Sequence, residues 1–81
     1  MPDILEINAE ISKIIMGAQV QMDVYHMLTA DDIVACPRVI VRVERGDKKH
    51  QRYVHFHPDT WHLVTPDLIG TWFKNEFEDI L

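Results

Sequence analysis

The chain has 81 residues, 47% of them hydrophobic and 26% charged, and a net charge of −5. That length allows one small domain over residues 1–81, and that hydrophobic share excludes a disordered chain. Apolar runs are too short to cross a bilayer, no signal pattern opens the chain, and the single cysteine, Cys36, excludes an intrachain disulfide; a cytoplasmic protein without a membrane partner is expected.

A helix is predicted over residues 3–16. Ile4, Ile7, Ile11, Ile14 and Ile15 form one stripe at spacings of three and four, and Asp3, Glu6 and Glu10 sit toward the positive end of the helix dipole. Isoleucine is a poor helix former, so packing must hold this helix. After Gly17 the pattern reads two ways. Ala18, Met22 and Tyr25 continue the helical stripe to about Leu28, which is the preferred reading. Gln19-Val20-Gln21-Met22-Asp23-Val24 also alternates as a half-buried strand does, with Gly17 as a helix stop. The strand reading adds a third β element. Thr29-Ala30-Asp31-Asp32 then reads as a helix start or a turn, introducing one short turn through Cys36, and Pro37 ends any helix there and opens a strand.

Residues 38–57 are the organising stretch, predicted as an antiparallel β-hairpin about a Gly46-Asp47 turn. That turn pairs Val39 with Val54, Ile40 with Tyr53 and Val41 with Arg52; in this register the apolar faces coincide, whereas a one-residue slip would set Val54 opposite Ile40 and mix them. The inner face is Val39, Val41, Val43, Val54 and Phe56; the outer face is Arg38, Ile40, Arg42, Tyr53, His55 and His57. The hairpin also concentrates charge: Arg38 to Arg52 holds six basic and two acidic residues, the rest of the chain two basic and eleven acidic. It is a basic patch on an acidic body, and lysine and arginine at a sheet edge also guard it against aggregation.

Pro58-Asp59 breaks the second strand, and Trp61-His62-Leu63-Val64 reads as either a third strand or a packed connector. Thr65-Pro66-Asp67 starts the last helix, with Thr65 as N-cap. Leu68, Ile69, Trp72, Phe73, Phe77, Ile80 and Leu81 form its apolar stripe, expected to pack on the hairpin's inner face. Glu76, Glu78 and Asp79 crowd the end where the dipole disfavours acids, which suggests a use for them with a partner, such as mimicry of nucleic acid. The fold class expected is α+β: N-terminal helix, central hairpin with room for a third strand, C-terminal amphipathic helix on the sheet.

Function is read from the motifs. His55 and His57 share a strand face, with His62 five residues on, but no cysteine pair or placed carboxylate completes a metal site, and no metal or cofactor is assigned. Arg45-Gly46-Asp47 spells an integrin-recognition tripeptide, yet turn geometry accounts for its Gly-Asp. Neither Cys36 nor Ser12, the one serine, lies in a nucleophile motif, there is no glycine-rich phosphate loop, and no enzyme activity is expected. The order helix, hairpin, short strand, helix resembles the layout of double-stranded-RNA-binding domains. The lysine cluster that family carries at its last helix is replaced here by Thr65-Pro66-Asp67. The expected function is a non-catalytic protein-interaction module, comparable in size and charge to small phage accessory proteins that inhibit host enzymes. The partner-binding candidates are Arg38, Ile40, Arg42, Arg45, Lys48, Lys49, Arg52, Tyr53, His55 and His57. The alternative is nucleic-acid binding by the outer face, where basic and aromatic side chains combine, although a net charge of −5 opposes it. A homodimer, through the sheet edge or the Ile/Met/Tyr surface of the first helix, is a further expected assembly.

Overall fold

A computed structural model describes residues 2–81. Helix α1 (Ile4–Ile14) opens on Asp3, whose carboxylate accepts the Glu6 N–H at 3.0 Å. It stops where Gly17 takes φ +78°, a conformation that side chains disfavour. The helical stripe therefore does not continue to Leu28. Residues 19–28 form strand β1 (Gln19–Leu28), which pairs along its whole length with β2. Its alternation prevailed over its helix propensity because a ladder satisfies its backbone while Val20 and Met22 turn toward the core.

The short turn expected through Cys36 is likewise a strand. Strand β2 (Ile33–Arg45) begins directly after a loop in which the Thr29 hydroxyl accepts the Asp32 N–H and donates to the Asp32 carbonyl, both at 2.9 Å. Thr29 thus closes a hairpin and caps no helix. Pro37 does not open the strand but sits inside it, opposite Val24. Its carbonyl accepts the Phe56 N–H at 2.9 Å, so its backbone faces the β3 side, just past the last β3 pair, Arg38 with His55. The missing N–H falls where no ladder bond is needed.

Strand β3 (Lys48–His55) follows the predicted turn, with Gly46 at φ +64° and no positive φ at Asp47, the pattern of a type II′ turn. The register is the expected one: Val39 with Val54, Ile40 with Tyr53, Val41 with Arg52. The sheet is antiparallel in the order β1-β2-β3, so the third strand precedes the hairpin. Trp61–Leu63 is a short 3-10 turn that buries Trp61 against Phe56, a packed connector. Helix α2 (Pro66–Glu76) and a final 3-10 turn (Glu78–Ile80) complete the α+β fold.

Ile7, Ile11 and Ile15 of the first stripe, Val39, Val41 and Val43 of β2, and Ile69, Phe73 and Phe77 from the C-terminal part form one buried core. Both helices thus cover the same sheet face. Leu68 and Leu81, expected in that core, are exposed. The first helix cannot offer an Ile/Met/Tyr surface either: its central isoleucines are buried, and Met22 and Tyr25 lie on opposite faces of β1. Between Met22 and Val39 the one buried residue, Cys36, lies on the opposite face of the sheet and outside this cluster. The β1–β2 hairpin runs past the helices as an arm, and the molecule measures 44 × 24 × 18 Å. No helix among the described residues is long and apolar enough to cross a membrane.

Candidate interaction surface: the open face of the sheet

With both helices on one face, the other face of the sheet carries no covering layer among the described residues. The strand period places on it Asp23 and Tyr25 of β1, Cys36, Arg38, Ile40 and Arg42 of β2, and Lys49, Gln51, Tyr53 and His55 of β3. Arg38 is at its centre. Its Nε donates to Asp23 Oδ1 at 2.7 Å and its Nη2 to Oδ2 at 2.5 Å, a bidentate pair. The guanidinium lies 5.2 Å from the Tyr53 ring centre and 6.0 Å from that of Tyr25, within cation–π range. Tyr25 stacks on His55 at 4.5 Å. Cys36, paired with Tyr25 on this face, is buried.

The hydrogen bond from Arg38 holds the Asp23 carboxyl below its usual range, and the same bond raises the Arg38 guanidinium. One residue pair along, Arg42 Nη2 donates to Gln51 Oε1 at 3.2 Å, and Gln19, Gln21, Ile40, Arg42 and Gln51 line a shallow depression. Lys49 faces Glu44 across the strands. Among the described residues, Arg42 is therefore the one cation of this face with no acidic side chain paired or opposite.

Six of the sequence candidates gather on this face: Arg38, Ile40, Arg42, Lys49, Tyr53 and His55. Arg45 and Lys48 flank the turn at the hairpin tip. Arg52 points to the helix side, where its guanidinium lies 5.7 Å from the ring centre of buried Phe77. His57 lies past the end of β3, its Nδ1 accepting the Asp59 N–H at 3.1 Å. His55 and His57 thus have separate partners, and no three metal-binding groups converge among the described residues. Asp23 and Tyr25 escape a reading that makes residues 18–28 helical; the alternation from Gln19 to Val24 is the signal that finds them.

Around the molecule, Glu76, Glu78 and Asp79 are exposed at the end of α2. At its start Thr65 makes no side-chain cap. A hydrogen bond with Thr65, helped by the backbone N–H groups of Asp67 and Leu68, keeps the Asp67 carboxyl low. The helix start that carries lysines in double-stranded-RNA-binding domains thus carries a carboxylate. No family model, curated protein or solved structure matches the chain.

Proposed function

We propose that this chain is a non-catalytic protein-interaction module, and that its partner docks on the open face of the sheet around Arg38, Ile40, Arg42 and Tyr53. The observation that carries the reading is the array Tyr25–Arg38–Tyr53, fixed by Asp23 on a face that no other element among the described residues covers. Tyrosine and arginine dominate binding energies at protein interfaces, and side chains already held in place lose little entropy on docking. Tyr53 keeps 50% of its surface exposed. Charge favours protein over nucleic acid: Arg38 is neutralised by Asp23 and Lys49 faces Glu44, which leaves Arg42 to meet a phosphate backbone.

The test is capture of partners by tagged protein from native extract, with and without nuclease. A discrete protein that survives nuclease is expected, with Tyr53→Ala weakening its affinity by about tenfold or more. If all binding vanishes with nuclease, falls steeply with salt and is abolished by Arg42→Glu, the face binds nucleic acid and the reading is replaced.

A further inference from the structure

The two edges of the sheet are unlike. Strand β3 (Lys48–His55) carries Lys48, Lys49 and Arg52, the usual protection of a free edge. Strand β1 (Gln19–Leu28) is ten residues long, without proline, glycine or lysine, and its one charged residue, Asp23, is paired to Arg38. An edge of that length and character is a template for another strand.

We propose that β1 pairs with β1 of a second copy, antiparallel about a two-fold axis through Val24, to give a dimer with one six-stranded sheet. Backbone direction comes first. Pro37 turns its carbonyl toward β3, so its partner across the ladder, Val24, turns its N–H and C=O to the open edge. With a period of two, Val20, Met22, His26 and Leu28 do the same. Centring the pair on Val24 sets Val20 against the partner's Leu28 and Met22 against the partner's His26, and gives about ten backbone hydrogen bonds, typical of a whole interface. Sliding the centre to Asp23 sets two carboxylates face to face, which opposes that register. Sliding it by half a step mismatches the two faces.

Side chains favour the same partner. On the helix side of the arm Val24, Leu28 and Ile33 are 53%, 78% and 59% exposed, a large apolar strip for so small a chain. The register lays Leu28 beside the partner's Val20, which packs against the partner's core. Surface area agrees. A compact 9.5 kDa protein exposes about 5,000 Å² and has a radius of gyration of about 12 Å. This chain exposes 5545 Å² with a radius of 13.4 Å, above both, and its longest dimension is 44 Å. A stable interface takes about 800 Å² from each partner, roughly one-seventh of that surface. The dimer leaves both open faces free and sets them side by side, so it stands independently of what binds there.

Sedimentation equilibrium up to about 100 µM tests it, with a mass of twice 9.5 kDa expected. Val24→Lys and Val24→Glu, each folded by circular dichroism, should raise the dissociation constant at least about tenfold. Mixing them should restore the dimer, because residue 24 meets itself only in this register. In the unaltered chain, amide exchange at Val20, Met22, Val24, His26 and Leu28 should slow as concentration rises. A monomeric chain, a dimer that survives both variants, a mixture that stays monomeric, or edge amides indifferent to concentration would each overturn the proposal.

Discussion

Arg38 and Asp23 show how one pair can order a surface. The carboxylate takes both arms of the guanidinium and so fixes its plane between two tyrosine rings. Because Arg38 keeps Asp23 below its usual range, the pair adds stability above the unfolded aspartate value, about 3.9. That stability is lost as pH falls through the lower folded value. Asp23→Asn should therefore melt below the parent at neutral pH, with the gap closing as pH is lowered into and below the ordinary aspartate range in a series of thermal scans. A gap that is constant with pH would assign the loss to packing. On the other face single residues differ just as much. Phe73 is fully buried, and Phe73→Ala should cost about 3–5 kcal/mol in a urea titration. Leu81 lies on the same predicted stripe but is 54% exposed, and Leu81→Ala should stay within about 0.5 kcal/mol. Periodicity reveals which way a side chain points; how far the neighbouring layer extends over it depends on tertiary packing that one sequence does not encode locally.

At the scale of elements, two glycines decide where the chain turns. Gly17 and Gly46 hold φ +78° and +64°, and nothing lies within 4 Å of where a Cβ would be. Alanine at either position should thus cost only the backbone term, about 1–2 kcal/mol, with no change in the sheet by circular dichroism. A larger loss would reveal crowding that the geometry does not contain. The hairpin of residues 38–57 was legible because its turn, its valine alternation and its register all agree, and Val39, Val41 and Val43 are buried as that agreement requires. Strand β1 was less legible because its signals conflict: Ala18, Met22 and Tyr25 keep helical spacing while Gln19 to Val24 alternates. Pairing with β2, a contact made across a loop, resolved the conflict. The same blind spot hid Asp23 and Tyr25, so the hairpin's half of the open face could be read in the sequence and the β1 half could not. Pro37 misled for a related reason, since its tolerance inside β2 depends on where β3 ends.

The whole molecule divides into a packed body and an arm, and the two should respond differently to change. Helices, core and the Gly46 turn lie in the body, while the arm beyond Met22 and Val39 supplies nothing to the buried cluster. The arm can then be shortened without unfolding the body. Met27 and Val34 face each other across the ladder, at positions that share backbone bonds because bonded and non-bonded pairs alternate and Val24 with Pro37, three pairs away, is non-bonded. Such a pair accepts a two-residue Asn-Gly turn. Replacing residues 28–33 by Asn-Gly removes Leu28, Ile33 and the Thr29 loop while keeping Asp23, Tyr25 and Arg38 in place. The shortened chain should melt within about 5 °C of the parent, a change of about 1 kcal/mol or less for a domain of this size. It should capture the same partner, since the open face is intact, and self-associate less, since the Val20–Leu28 pairing is gone. A drop in melting temperature well beyond that would mean that the arm helps to hold the body together, through the sheet itself, and that body and arm unfold as one unit.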